Sequence, residues 1–232
     1  MITPEVARSS STPIEPTLVY QPQADTQLLI DALDDCSPAG LRVLDLCTGS
    51  GAVAAAAATR GAAEVVAVDL CPHAVRAAAA LAPEGVRWSA VRADVSDFAD
   101  VNRFDLVTCN PPYVPAPDAP DECPSVVGPA HAWDAGPDGR AVLDRLCARA
   151  EELLRPRGRL LLVQSALAAP YRTRELLEAR GFRTSLVRRR RVDFGPVLRA
   201  RRDWLVTQGL MHAHEASETL TVLLAERASG RP

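Results

Sequence analysis

Between residues 42 and 180 the apolar positions recur first with the period of a strand and then with that of a helix, and the switch repeats until few architectures remain open. Residues 42–47 read as an apolar strand, 52–60 as an alanine-rich helix, 64–69 as a strand and 72–81 as a helix. Strands follow at 86–91 and 104–109, then a long amphipathic helix at 139–154, a strand at 160–164 and a helix at 171–180. Such β-α-β repetition predicts a mostly parallel sheet with helices on both faces, joined by right-handed crossovers. The end of the chain breaks the rhythm. Residues 182–192 and 219–226 are strand-like and predict an antiparallel pair at one edge, with 194–214 inserted between them, partly helical or projecting. Before the first strand, residues 18–33 open on a proline turn and continue at helical spacing through Leu28, Leu29, Ala32 and Leu33, with Asp25 as a candidate cap. Residues 1–16 are rich in Ser, Thr and Pro and predict a flexible arm, leaving 17–232 as a single domain.

Charge and composition narrow the partners. A net charge of −3 gives no general attraction to nucleic acid or an anionic membrane, so any basic surface must be local. Every one of the 26 basic residues is arginine. The six cysteines are scattered without a C-x-x-C pair or a preceding secretory signal, which predicts a reduced, cytoplasmic setting. No apolar run approaches the ~20 residues of a membrane span, so no membrane association is expected.

The strand at 104–109 ends in Asn110-Pro-Pro-Tyr113. Pro111 and Pro112 fix φ, lack an N–H and keep the preceding residue out of helical geometry, so the backbone stays extended just past the strand. The Asn110 side-chain oxygen and the Pro111 carbonyl then form a stiff pair of acceptors suited to both hydrogens of a planar –NH2 group, with Tyr113 lying against that plane. A plain proline turn after a buried strand is the competing reading. Ligands of open α/β sheets bind at the carboxyl ends of the strands, where strand order reverses. There the sequence places Asp45-Leu-Cys-Thr-Gly-Ser-Gly51, whose Gly49 and Gly51 allow close backbone approach before a helix N-terminus. Asp69 ends the second strand, placed to accept two ribose hydroxyls, and Asp94 with the Val95 N–H follows the third, placed to read an adenine edge. The loop lacks the G-x-G-x-x-G spacing of nicotinamide sites, and without lysine no phosphate-binding P-loop is possible.

These residues resemble the class I S-adenosylmethionine-dependent methyltransferases, whose members with Asn-Pro-Pro-Tyr methylate amide or nucleobase nitrogens. Val19-Tyr-Gln-Pro-Gln-Ala-Asp-Thr26 and the stretch from Ala132-Trp-Asp-Ala-Gly-Pro-Asp-Gly-Arg to Arg145 are similar to the HemK/PrmC-related methylases, in particular the short archaeal and eukaryotic branch without a helical N-terminal domain. The resemblance runs from about residue 18 to 226, weakly over 194–214. It implies a Rossmann-like, seven-stranded class I methyltransferase fold and S-adenosyl-L-methionine as cofactor, leaving S-adenosyl-L-homocysteine. It also implies Tyr20, Thr26, Asp45, Cys47, Thr48, Gly49, Gly51, Asp69, Leu70, Asp94, Val95 and Asn110 as cofactor-lining residues. Cys47 stands where the family often has glycine, so its backbone is expected to make the contact and its thiol to be a small buried filler. The catalytic box is then Asn110, Pro111, Pro112 and Tyr113, with Asn110, Pro111, Tyr113 and Trp133 against the substrate. The resemblance further implies a protein substrate, such as a release factor with a Gly-Gly-Gln motif, and a small activating subunit.

Several features stay open at this level. Arg188–Arg191, with Arg183, Arg199, Arg201 and Arg202, form a basic cluster that can meet RNA, DNA or an acidic protein, or merely solvate an edge strand. Trp133 reads equally as core or as loop anchor. His212 and His214 sit two apart without a third ligand, so no metal is expected. Asp118, Asp121 and Glu122, in a proline-rich loop of 111–137, can attract a basic substrate. The acceptor reads as a protein glutamine or lysine, then a nucleobase amine, then a small molecule; a cofactor-binding partner without catalysis is a further alternative.

Overall fold

A computed structural model describes residues 18–101, 103–117 and 129–228 together with the backbone of Glu5–Val6. The expected flexible arm lies outside the described residues apart from that dipeptide, as do Asp118, Asp121 and Glu122. Eight strands form one sheet: β1 (Glu5–Val6), β2 (Arg42–Leu46), β3 (Glu64–Asp69), β4 (Arg87–Arg92), β5 (Phe104–Cys109), β6 (Leu154–Ser165), β7 (Phe182–Asp193) and β8 (Ser217–Arg227). Their order is β1-β4-β3-β2-β5-β6-β8-β7. Strands β4, β3, β2, β5 and β6 run parallel, as the alternation requires. β8 slots antiparallel between β6 and β7, so the antiparallel pair sits at one edge and β7 is its outermost member. β1 adds an antiparallel dipeptide to the other edge.

The helices are α1 (Ala24–Ala32), α2 (Ala52–Thr59), α3 (Pro72–Ala80), α4 (Ala141–Leu153), α5 (Pro170–Glu178), α6 (Pro196–Ala200) and α7 (Arg202–Thr207). The strand order reverses between β2 and β5, so right-handed crossovers put α2 and α3 on one face and α4 on the other. α4 buries Leu143, Leu146, Cys147, Ala150 and Leu153, a stripe at helical spacing. α2 is nearly all alanine, and its start lies against α3: at Gly51 (φ +84°) an added Cβ would stand 3.0 Å from the Ala78 Cα. Every residue of β5 is buried, which makes it the axis around which the two halves pack. α1 packs across β6, β7 and β8 and touches α2. It thereby carries residues 18–26 over the tips of β2 and β5.

Asp25 is not the cap of α1. That position belongs to Gln23, and Asp25 stands inside the first turn. The insertion folds into α6 and α7 and is anchored in the core by Phe194, Leu198, Leu205 and Met211.

Candidate active site

A cleft of about 1150 Å³, open mouth included, lies over the carboxyl ends of β2, β3, β4 and β5, at the reversal of strand order. Its floor is the turn after β2. Asp45, only 1% exposed, accepts from the Thr48 hydroxyl at 2.6 Å and from the Thr108 hydroxyl of β5 at 2.6 Å, which ties the turn to the neighbouring strand. Burial pushes its pKa up to about 6, against the pull of those hydrogen bonds. Asp69, at the end of β3, accepts from the Gly49 N–H and the Cys71 N–H, both at 2.9 Å. Burial raises its pKa too. Two desolvated carboxylates facing one cleft make a site that favours a cationic ligand.

Asp94 is less enclosed. It accepts from the Ser96 N–H at 2.8 Å and lies 3.4 Å from the Arg145 guanidinium; burial opposes ionisation, but these partners outweigh it and hold the carboxyl below its usual range. Val95 is buried beside it, and Leu70, 51% exposed, stands at the rim.

The other wall is the tetrapeptide after β5. Asn110 Nδ2 donates to Thr26 Oγ1 at 3.3 Å, and the Tyr113 hydroxyl donates to Asp25 Oδ2 at 2.9 Å. Among the described residues nothing donates to Asn110 Oδ1 or to the Pro111 carbonyl. Tyr113 is 8% exposed, and burial raises its pKa well above the phenol range. Beyond it the loop is stitched by Val114 N–H to the Trp133 carbonyl at 2.9 Å and Ala135 N–H to the Val114 carbonyl at 3.0 Å. Trp133 is buried with its Nε1 lacking a hydrogen-bond partner among the described residues. Gly139 (φ +70°) lets the returning chain lie on this segment: a Cβ there would stand 2.5 Å from the Tyr113 carbonyl oxygen.

The cleft brings together Tyr20, Thr26, Asp45, Cys47, Thr48, Gly49, Asp69, Leu70, Asp94, Val95, Asn110, Pro111, Pro112, Tyr113 and Trp133. Gly51 is not among its walls; its missing side chain serves the contact with α3. Cys47 has φ +54° and is half-buried, with its thiol against that of Cys109, rather than a fully buried filler. Sequence reasoning missed Asp25 and His131 as wall residues. No signal in the sequence marks Asp25, because Tyr113, which it meets at the wall, lies 88 residues away. Among the described residues no group of three or more His, Cys, Asp or Glu side chains is arranged to hold a metal ion, and the His212 and His214 rings stack on each other at 5.5 Å.

Residues 43–129 match the family model of a methyltransferase domain. A Methanocaldococcus jannaschii protein named for protein N5-glutamine methyltransferase activity is 33% identical over 180 residues, covering 76% of this chain and 87% of the relative. The mouse methyltransferase HEMK2 is 34% identical over 194 residues, 78% of this chain and 88% of the relative. Among solved structures, a chain of the E. cuniculi Mtq2–Trm112 complex, described as responsible for methylation of the eRF1 translation termination factor, is 26% identical with a TM-score of 0.60. That match covers 90% of this chain and 99% of the other. With kinship over about three quarters of its length on top of the cleft geometry, the chain belongs to the HemK-related class I methyltransferases and is an S-adenosylmethionine-dependent N-methyltransferase.

Proposed function

We propose that this enzyme methylates the side-chain nitrogen of a glutamine in a protein, of the release-factor type, with Asn110 and Pro111 gripping the amide. One observation carries the reading. The Asn110 amide is held through its nitrogen by Thr26, so its oxygen and the neighbouring Pro111 carbonyl are left as a paired acceptor set on the cleft wall, beside the Tyr113 ring. A primary amide has two N–H donors in one plane, which is the complement of that set.

The residues fit the cofactor. The cleft's two desolvated carboxylates suit a ligand that carries a sulfonium and an ammonium group, and the lone pairs that Asp69 keeps beyond its backbone partners suit ribose hydroxyls. Asp94 and the Val95 N–H would take the adenine, and the turn from Cys47 to Gly49, with Thr26 and Asn110, the amino-acid end. S-adenosylmethionine, when bound, supplies an electrophilic methyl with a stable neutral thioether as leaving group. The difficulty then lies with the weak amide nucleophile. Asn110 and Pro111 orient the nitrogen and raise its electron density, and orientation alone can supply ~7–11 kcal/mol. Tyr113 and Trp133 cover the amide plane and keep water away. No Brønsted base is required before transfer; once the nitrogen carries the methyl it gives up one N–H proton, handed past the Asn110 or Pro111 oxygen to solvent.

A small activating subunit belongs to this proposal, because the matched Mtq2 structure is a complex with Trm112. The test is incubation with labelled S-adenosylmethionine and a release factor bearing Gly-Gly-Gln, with and without such a subunit. Label is expected on the glutamine. Label that enters only RNA, DNA or small molecules from an extract overturns the assignment. Asn110→Ala is expected to lose at least about 100-fold in turnover while its affinity for S-adenosylhomocysteine, read by calorimetry, falls by no more than about tenfold, the share of one contact with the amino-acid end; retention of a tenth of the activity contradicts the role given to Asn110.

A further inference from the structure

We infer that Asp25 is a positioning residue whose carboxylate dictates which way the Asn110 amide faces. The inference rests on the methyl-transfer reading and deepens it, assigning to the first turn of α1 a part in the reaction beyond lining the cleft.

The argument is one of hydrogen-bond polarity. An ionised carboxylate can only accept. Asp25, 5% exposed, receives the Thr26 N–H at 2.6 Å, the Thr26 hydroxyl at 3.2 Å, the Tyr20 hydroxyl at 3.1 Å and the Tyr113 hydroxyl at 2.9 Å. Thr26 has one hydroxyl proton. Once that proton points at Asp25, the Thr26 oxygen has only lone pairs left, and its remaining neighbours must donate to it. They do: the Gln23 N–H at 3.4 Å and the Asn110 Nδ2 at 3.3 Å. An amide held by its nitrogen presents its oxygen on the other branch, so the acceptor that would grip the substrate owes its direction to a carboxylate two hydrogen bonds away.

The same carboxylate holds Tyr113, at the far end of the tetrapeptide. Burial, followed by the nearby Asp25 charge, raises the pKa of both Tyr20 and Tyr113, so both hydroxyls remain donors. Asp25 therefore ties Asn110, through Thr26, and Tyr113 directly. An asparagine at this position would fill the same space but could also donate. The Thr26 hydroxyl would then be free to turn toward Asn110, and the amide could rotate to face the substrate with its –NH2, donor against donor.

The test is Asp25→Asn, assayed with labelled S-adenosylmethionine and the Gly-Gly-Gln release factor. The expected result is a fall of about 100-fold in kcat, with S-adenosylhomocysteine affinity within about threefold and the melting temperature nearly unchanged. Thr26→Val should lose turnover through the Asn110 branch alone, Thr26→Ser should recover most of it, and the double variant should be no worse than Asp25→Asn, since Thr26 acts on a chain that Asp25 already holds. Equal losses of turnover, cofactor affinity and thermal stability, or additive losses in the double variant, overturn the inference. If the wild-type enzyme leaves the release factor unlabelled, the substrate reading fails, and the inference is decided separately by the side-chain NH2 resonances of Asn110, identified by their loss in Asn110→Ala. They should move in Asp25→Asn without cofactor or substrate; unchanged resonances overturn the role.

Discussion

Asp45 shows how a single residue at the floor of the cleft couples the fold to pH. Its carboxyl is bracketed by Thr48 and Thr108 yet buried deeply enough that its pKa rises to about 6. An unfolded chain would titrate it near the ordinary aspartate value of about 4. Between those values the folded protein holds the proton that the unfolded chain has released. This carboxyl therefore stabilises the fold fully below about pH 4 and loses that contribution as pH rises through about 6, a change of roughly 3 kcal/mol. Asp45→Asn removes the titration. Urea unfolding of the two proteins at a series of pH values should show the wild type gaining on the variant as pH falls from 7 to 4, and parallel curves would contradict the burial argument. Asp69, raised for the same reason, adds in the same direction. A site that destabilises its own anions is one that gains when a cation enters.

At the scale of elements, the insertion between β7 and β8 is locked onto the loop that follows β5. Arg201, 1% exposed, reaches from the α6–α7 junction to Asp134 at 2.6 Å and to the Pro115 carbonyl at 3.3 Å, next to the stitched segment that carries Tyr113 and Trp133. Asp134 is partly open and can rehydrate when Arg201 is lost, so Arg201→Met should cost about 1–3 kcal/mol, chiefly for the stranded Pro115 carbonyl. Thermal denaturation checks this, and a melting temperature unchanged from the wild type would mean that the contact is not buried in solution. Long-range ties of this kind separate what could be read in the chain from what could not. The alternation of periods pointed to the parallel sheet, and the tetrapeptide after β5 pointed to a wall of the cleft, because both are set by neighbours in sequence. β6 starts at Leu154, earlier than the strand expected from 160, and the chain hides this because Arg155, Pro156 and Gly158 look like a turn, with Arg157 at φ +64° inside the strand. The roles of Asp25, Arg201 and Gly51 depend on partners dozens of residues away, and no local pattern announces them.

For the whole molecule the question is where its arginines point. The run in β7 looks like a nucleic-acid surface in sequence, but in the fold Arg188 pairs with Asp35 at 2.7 Å, Arg190 with Asp31 at 3.0 Å, and Arg183 with Glu226. Arg191 donates to the Ser217 hydroxyl at 2.6 Å, and Arg199 to the Phe194 carbonyl at 2.6 Å. The acidic partners come from α1, the turn after it and β8, so Arg183, Arg188 and Arg190 fasten the edge strand to its neighbours and meet carboxylates there instead of standing as free cations. No support for nucleic-acid binding comes from this face, and the net charge of −3 adds none. Phosphate contacts release counterions, so a protein using this cluster would show affinity falling with salt at a log–log slope of about −0.7 per single-strand contact. Anisotropy titrations with a labelled single-stranded RNA across a range of salt should instead give weak binding and a slope no steeper than about −1. A slope of about −3 or beyond would mean that four or more arginines leave their carboxylates for phosphate, and would return a nucleic-acid acceptor to consideration.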